Sequence, residues 1–338
     1  MDFQPTEDQE ALRTGVRELL AGRFPREALR AAVDAGDGWV AGGPRVVDRA
    51  LWRELGEAGF FALRLPEGAA GGVGLGLPEA VLVLEEAGRV LLPGPLVGTQ
   101  LAATHLTGPV AAGAAAGELL VALALPPAPI GHLGGADAVL ALGEPGASSA
   151  RAGLFAADGF PAAAIRSADP LTPLHLPGSD LSGARALDGG AGGSTGVDVA
   201  SLRREAALLT AAQQVGSAGR TLAMAVQHAR EREQFGRPIG AFQAVKHLCA
   251  DMLVRVEMAR TAVYAAAVSG DGFETAAARL LADDAAARNA RDCLQVFGGM
   301  GFTWEADVHL HIKRSWVLAA GRGEAERQKE ELAAGLLG

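Results

Sequence analysis

The chain has 338 residues, of which 49% are apolar and only 5% aromatic; this composition can bury a large core and favours closely packed helices over a large β-sandwich. A formal net charge of −9 without any basic cluster argues against nucleic acid and anionic membrane surfaces as partners. Two isolated cysteines, a polar acidic start and the lack of an apolar run long enough for a membrane span predict a cytoplasmic protein without a disulfide framework, a metal site or a membrane span.

The first half of the chain changes from a helical to an extended pattern. Helices are expected over residues 6–22, 48–58 and 78–89, with a shorter one after Pro95. From about residue 118, short apolar runs separated by Pro and Gly predict strands with tight turns. The Gly-rich stretch 188–197 is expected to be a loop or linker.

From Val199 onward the apolar spacing is helical again, and the predicted helices are long. They cover residues 199–231, 241–268, 274–296 and 305–321. This order of elements predicts a mainly α fold with an N-terminal helical domain, a small middle β domain and a C-terminal four-helix bundle. The predicted domain limits are residues 1–115, 116–190 and 195–338.

A first motif with chemical potential lies where one long helix ends and the next begins. It runs from Arg232 through Gln234 and Phe235 to Ile239, and Phe242 and Gln243 follow it. An arginine at a helix end, beside the N-terminus of a new helix, can hold a pyrophosphate. The alternative is a solvated arginine in an ordinary helix–turn–helix with Phe235 in the core.

A second motif ends the helix predicted over 274–296. Gln295 is followed by Gly298, Gly299 and Gly301. Three glycines let a backbone approach a ligand closely, and the Gln295 amide can hydrogen-bond a phosphate or a base edge. The alternative is a helix C-cap without a ligand.

Together and in this order, the two motifs resemble the acyl-CoA dehydrogenase family. The pattern is RxQFGxxxxxFQ, then a helix, then QxxGGxGF, and residues 51–76 resemble the family's segment that leads into its N-terminal GGxG loop. The resemblance spans nearly the whole chain and is weak from about 105 to 190.

The resemblance implies an FAD-dependent enzyme that introduces an α,β double bond into an acyl-CoA thioester, working with an electron-transfer flavoprotein or a similar acceptor. In this family the two motifs reach across a subunit interface to the neighbour's FAD. The implied cofactor-binding residues are, towards the diphosphate, Arg232, Gln234 and Phe235 with the nearby Gln243, and, towards the adenosine end, Gln295, Gly298, Gly299 and Gly301.

The chain departs from the family pattern at the flavin ring. Family members carry a TEPGxGSD-like segment and later a Trp–Ser/Thr pair beside the ring. The nearest echo here is GEPGASSA at 143–150, and no tryptophan occurs between Trp52 and Trp304. The sequence therefore leaves this subunit without an evident flavin-ring platform of its own.

The catalytic carboxylate of the family also lacks an evident counterpart. On the last helix its place falls at Arg322 or Gly323, with Glu324 one residue beyond, and a shift of one residue turns a helical side chain by about 100°. Some members place the base on the first bundle helix, near Ala206, where Glu205 is adjacent. Glu205 is the catalytic candidate; the alternative is a surface ion pair with a neighbouring arginine of the same helix. The glutamates of the C-terminal tail are expected to be solvated.

These departures predict a subunit that completes FAD sites for a catalytic partner in a hetero-oligomer. A second hypothesis is a self-sufficient homo-oligomeric dehydrogenase that uses Glu205 or a tail glutamate. A third is a flavin-free scaffold or acyl-thioester binding protein.

Overall fold

The computed structural model describes residues 5–36, 47–68, 71–143, 152–178, 183–187, 198–320, 329–330 and 332–334. The N-terminal part is helical: α1 Glu7–Arg23, α2 Arg26–Ala35, α3 Arg49–Glu57, α4 Leu77–Arg89, α5 Leu96–His105 and α6 Gly108–Ala115. Helix α1 begins at Thr6 with a capping box, in which the Thr6 hydroxyl accepts from the Gln9 amide and the Gln9 side chain accepts from the Thr6 amide. The Asp48 carboxylate caps α3 by accepting hydrogen bonds from the amides of Ala50 and Leu51.

The middle part consists of two small sheets. Its strands are β1 Val121–Ala124, β2 Ile130–Gly131, β3 Ala138–Leu142, β4 Ala152–Ala156, β5 Ala162–Ile165 and β6 Leu174–Pro177. One sheet has the order β1-β3-β4, with β1 parallel and β4 antiparallel to β3; the other has the order β2-β6-β5 and is antiparallel. All five residues of β3 are buried, as expected for the central strand of a covered sheet.

The C-terminal part is a bundle of long helices. It contains α7 Val199–Glu231, a short hairpin of β7 Glu233–Gln234 and β8 Arg237–Pro238, and then α8 Gln243–Ser269, α9 Gly272–Phe297 and α10 Val308–Ala319. The turn between α8 and α9 has Gly270 in the left-handed region, with φ of 67°, and Asp271 as the N-cap of α9.

The bundle and the N-terminal part meet where α4 crosses α7, and glycines allow the close approach. A Cβ atom added to Gly216 would lie 1.9 Å from the Glu85 carbonyl oxygen, and one added to Gly88 would lie 2.1 Å from the Gln213 carbonyl oxygen. Buried Glu85 also accepts hydrogen bonds from Arg260 and from the Tyr264 hydroxyl of α8, at 3.0 and 2.7 Å. These contacts connect the two parts through backbone packing and a buried polar group.

The predicted fold class is confirmed: the molecule is mainly helical, with small sheets between an N-terminal helical part and a C-terminal bundle. The domain limits remain predictions, because one apolar core runs from α1 through β3 to α10. Helices α2 and α6 and strands β2 and β5 were not predicted. None of the described helices is both long enough and apolar enough to cross a membrane.

Candidate functional site

The first motif forms the tight hairpin that joins α7 to α8. In it Glu233 pairs with Pro238 and Gln234 with Arg237, which leaves Phe235 and Gly236 as a two-residue loop. Their φ angles are +54° and +75°, and a two-residue hairpin loop that follows the twist of its strands requires such left-handed angles. Glycine adopts them freely, whereas phenylalanine does so only at a cost.

Phe235 is also 90% exposed, so the alternative that placed it in the core is wrong. The nearest ring is that of Phe242, edge-on at 6.1 Å between centroids, and the guanidinium of Arg237 lies over Phe242. A strained backbone and an exposed aromatic ring both cost free energy in an isolated chain. Their combination at one position indicates that the ring is held out for a binding partner.

The polar residues of the first motif are also exposed. Arg232 caps the end of α7 with an extended backbone, and within the described residues its guanidinium makes no hydrogen bond or ion pair. Within the described part of the chain, the Gln234 amide donates only to the carbonyl oxygen of Glu233, at 2.9 Å. Gln243, the first residue of α8, is exposed too. These donors are therefore available to a group outside the chain.

The glycines of the second motif lie in a short 3₁₀ helix, Gly298–Phe302, within the loop between α9 and α10. Gly298 has φ of +60° and ψ of −141°, a conformation that is essentially restricted to glycine. A Cβ atom added to Gly298 or Gly299 would meet nothing within 4 Å, whereas one added to Gly301 would lie 3.0 Å from the Phe297 Cβ atom. Gly301 is thus needed for packing inside the loop. Gly298 and Gly299 leave the backbone uncovered on the outside, next to exposed Gln295.

The fold brings the two motifs to the same end of the bundle. The His228 ring, one turn before Arg232, stacks on Phe297 of α9 with 4.1 Å between the ring centroids. A small apolar cluster beneath them joins Ala229 of α7, Ile239 after the hairpin and Val296 of α9. Burial, together with repulsion from Arg232, lowers the pKa of His228, so its ring is neutral at neutral pH and contributes packing rather than charge.

These features fit one end of a dinucleotide. The unpaired guanidinium of Arg232 suits a phosphate, the Gln234 and Gln295 amides suit phosphate or base-edge contacts, and the uncovered backbone at Gly298 and Gly299 allows close approach. FAD has the phosphates and the base edge that these protein groups could contact. Both motifs lie on the surface, where these groups are accessible from outside the chain.

The catalytic candidate Glu205 lies elsewhere, inside the molecule. Only 8% of its surface is exposed, and its carboxylate is paired with Arg64, which follows α3, and with Nε2 of His105 at the end of α5, at 2.9 Å. The expected surface ion pair with an arginine of the same helix is therefore wrong. Burial by itself would raise the pKa of Glu205, but hydrogen bonds with His105 and Arg64 lower it overall.

Arg64 and His105 were not anticipated as partners of Glu205. They lie 141 and 100 positions away along the chain, and no local pattern marks such a pairing. The neighbouring Arg203 turns the other way and donates to the carbonyl oxygens of Leu142 and Gly143, which joins α7 to the end of β3.

Several sequence predictions lie outside the described residues. They are the linker 188–197, the segment 144–150 of the GEPGASSA echo, and the tail positions Arg322, Gly323 and Glu324. Among the described residues, no group of three or more His, Cys, Asp or Glu side chains has an arrangement that suits a metal ion. His309 stacks on Trp304, and His311 hydrogen-bonds the Ser217 hydroxyl from inside the bundle.

Two family models together match most of the chain. Residues 6–112 match the model for the N-terminal domain of acyl-CoA dehydrogenases, and residues 196–337 match the model for the C-terminal domain. The chain is 36% identical over 318 residues to acyl-CoA dehydrogenase IpdE2 of Mycobacterium tuberculosis (strain ATCC 25618 / H37Rv), a match that covers 92% of each chain.

Two solved structures have the same fold over nearly the full length. The ChsE4–ChsE5 complex from Mycobacterium tuberculosis superposes with a TM-score of 0.81 at 28% identity, covering 98% of this chain and 99% of that chain. A variant of the Tcur3481–Tcur3483 steroid ACAD superposes with a TM-score of 0.80 at 25% identity, with the same coverage.

Proposed function

Because the chain belongs to the acyl-CoA dehydrogenase family, we propose that it is the cofactor-completing subunit of a two-component dehydrogenase that oxidises the Cα–Cβ bond of an acyl-CoA thioester. One observation carries the proposal. Exposed Phe235 in a strained turn, unpaired Arg232 and the uncovered Gly298–Gly299 backbone share one end of the bundle. Within one chain these features have no evident use, whereas at a subunit interface all of them do.

Each of these residues has a role towards FAD. The Arg232 guanidinium neutralises and orients the diphosphate, and the Gln234 and Gln295 amides donate to its oxygens or to a base edge. Gly298 and Gly299 admit the cofactor against the backbone, and Phe235 packs on the subunit that holds the flavin ring. When bound, the flavin accepts the hydride that leaves Cβ.

The state of Glu205 supports assigning the catalytic base to the partner subunit. A general base works best with a pKa near the working pH, and it must reach the substrate α-proton. Glu205 is buried, its pKa is lowered, and both carboxylate oxygens are engaged by Arg64 and His105. Its geometry suits a fixed structural anion better than a proton acceptor.

The similar structures favour a partner and a substrate class to test first. One is the complex of two proteins, ChsE4 and ChsE5. The other is the steroid ACAD Tcur3481–Tcur3483. We therefore expect a paralogous acyl-CoA dehydrogenase chain as the partner, a steroid-derived acyl-CoA as the first substrate to assay, and an electron-transfer flavoprotein as the acceptor.

The decisive experiment is co-purification of the chain with its partner, followed by measurement of FAD per complex and of acyl-CoA oxidation. Arg232→Gln is expected to weaken FAD binding about tenfold or more, because a charge-assisted hydrogen bond to phosphate is lost. Arg230→Gln is the matched control: it is an exposed arginine two residues earlier, on a different side of α7.

The self-sufficient enzyme is the alternative that the same material tests. If the chain alone retains FAD and oxidises acyl-CoA as fast as the complex does, the cofactor-completing role is wrong. Glu205→Gln then decides whether Glu205 is the base: a loss of turnover with FAD retained favours it. A complex that contains no flavin at all would favour the scaffold hypothesis.

A further inference from the structure

A pocket lies between the N-terminal helices and the bundle. It has a volume of about 400 Å³ and is formed by α1, α2, α4, α7 and α10. None of its residues belongs to the two motifs or to the Glu205 cluster. Its walls are partly apolar, with contributions from Leu20, Phe24, Leu29, Val90 and Met224.

Arginines dominate the polar part of this pocket. Arg17 and Arg26 are already paired with carboxylates. Arg17 donates two hydrogen bonds, of 2.9 and 2.6 Å, to Glu86, and Arg26 donates one of 2.6 Å to Asp307. Arg89 and Arg220 also line the pocket. Within the described residues, neither of these two makes a hydrogen bond or an ion pair with a carboxylate.

The charged side chains that line this pocket carry a net positive charge, although the protein as a whole is acidic. Four guanidinium groups against the two carboxylates of Glu86 and Asp307 leave a surplus of two positive charges, whereas the whole chain carries −9. Arg89 is half-buried, and burial lowers its pKa; repulsion from Arg17 and Arg220 acts in the same direction, while attraction by Glu86 and Glu85 only partly offsets them. A cation that is partly removed from water and incompletely compensated is costly, so an anion in the pocket would stabilise the protein.

His311 contributes a neutral hydrogen-bonding group. Burial and the nearby cations, among them Arg220 and Arg89, lower the pKa of His311 to about 3. Its Nδ1 atom is engaged by the Ser217 hydroxyl at 2.8 Å, which leaves Nε2 as the ring nitrogen for a ligand. The pocket thus combines two unpaired guanidinium forks, one neutral polar group and an apolar wall.

We propose that this pocket binds a small organic anion, with a phosphate or carboxylate group held by Arg89 and Arg220 and an apolar body against Leu20, Phe24 and Met224. Guanidinium groups match the oxygens of both kinds of head group through paired hydrogen bonds. The pocket size and the mixed lining are those of a small-molecule site. This proposal does not rest on the flavin role proposed above.

Titration calorimetry on the FAD-loaded complex, in a chloride buffer, tests the proposal with three probes. Phenyl phosphate and benzoate carry the two head groups on an apolar ring, and inorganic phosphate carries the head group alone. We expect at least one aromatic anion to bind with one site per chain and to raise the melting temperature, while the flavin spectrum is unchanged. Inorganic phosphate is expected to bind about tenfold more weakly, because it leaves the apolar wall unfilled.

Combined Arg89→Gln and Arg220→Gln substitutions are expected to weaken that binding about tenfold or more. The control is Arg53→Gln, an exposed arginine of α3 outside the pocket, which should leave the affinity unchanged. If the double variant folds poorly, Arg220→Gln alone carries the test, since this exposed side chain makes no ion pair within the described part of the chain. The proposal is overturned if neither aromatic anion binds at one site per chain, if binding displaces flavin, or if the pocket variants bind like the wild type.

Discussion

Among the individual residues, Phe235 departs most clearly from the preferences of an ordinary residue for backbone conformation and burial. A left-handed backbone costs an ordinary residue about 1–2 kcal/mol, and glycine or asparagine avoids most of that cost at this kind of turn. The ring also forgoes burial, since 90% of the residue is exposed. A phenylalanine kept there against both penalties is best explained by a contact made after assembly.

Phe235→Asn is therefore expected to separate folding from assembly. The substitution should raise the free energy of unfolding of the isolated chain by about 1 kcal/mol, because asparagine tolerates the left-handed turn. It should also weaken association with the partner. Urea unfolding and sedimentation measure the two effects. Phe302→Asn is the control: Phe302 is 76% exposed, but its φ is not positive, so no gain in stability is expected. A loss of stability in Phe235→Asn would contradict the role given to the turn.

Glu205 gives a pH-dependent prediction. Its pKa in the folded chain lies below the ordinary value, so its contribution to stability is complete above the ordinary glutamate pKa and is lost as the pH falls through the lower folded value. Glu205→Gln removes this contribution and leaves Arg64 largely buried without its counter-charge. We expect it to lower the free energy of unfolding at neutral pH by about 3 kcal/mol and to flatten the loss of stability in acid.

Urea unfolding from neutral into acidic pH measures both effects of Glu205→Gln. A double variant, Glu205→Leu with Arg64→Leu, should recover most of the stability, because a buried ion pair can often be replaced by apolar groups at little cost. If Glu205→Gln is as stable as the wild type at every pH, the ion pair is not structurally important.

At the level of helices and strands, most of the correctly predicted elements were found from the periodic spacing of apolar residues. Helices α7, α8 and α9 are long, and their apolar spacing located them to within a few residues. The Ala- and Gly-rich sequence of α6 has no such pattern: Gly113 is there because the Leu119 side chain lies 2.7 Å from where its Cβ would be. Strand β2 has only two residues, too few for any alternation to show.

For the candidate site, the sequence predicted which residues belong to the two motifs, but not their exposure or the residues that contact them. The two motifs were found because their spacing along the chain resembles a family pattern. The exposure of Phe235, the partners of Glu205 and the arginine pocket all depend on contacts between residues far apart in the chain. Propensity and periodicity contain no information about such contacts.

The crossing of α4 and α7 depends on Gly216, and its substitution has a clear expected result. Gly216→Ala places a Cβ atom 1.9 Å from a backbone oxygen of α4, so the helices must separate. We expect a loss of about 3 kcal/mol, at the upper end for overpacking, because rigid backbone rather than a side chain has to yield. Gly15→Ala, at an exposed α1 position with nothing within 4 Å, should instead add about 0.5–1 kcal/mol. Thermal unfolding of both variants makes the comparison, and an equal effect of the two would contradict the close approach.

For the molecule as a whole, the large exposed apolar side chains of the two motifs are the surface on which the proposed partner would bind. Phe235, Met300 and Phe302 are 90%, 54% and 76% exposed, and all three lie at the hairpin or the glycine loop. Clustered exposed apolar groups in a well-packed protein indicate an interaction surface. Assembly would cover these rings and bring Arg232 and Gln295 to the edge of a cofactor site at the same time.

Phe302→Asp tests that coupling between assembly and cofactor binding. A carboxylate in the middle of an apolar interface loses its hydration, so association with the partner should weaken at least about tenfold, and FAD should be lost in parallel. Because Phe302 is exposed in the single chain, the thermal stability of that chain should hardly change.

Val73→Asp, at a position that is 50% exposed in the loop before α4, is the control for adding a charge at an exposed apolar site, and it should assemble normally. If Phe302→Asp assembles and retains FAD like the wild type, the partner surface lies elsewhere and the two motifs do not act across an interface. If both substitutions abolish assembly, the interface extends to the N-terminal helices and cannot be confined to the bundle end.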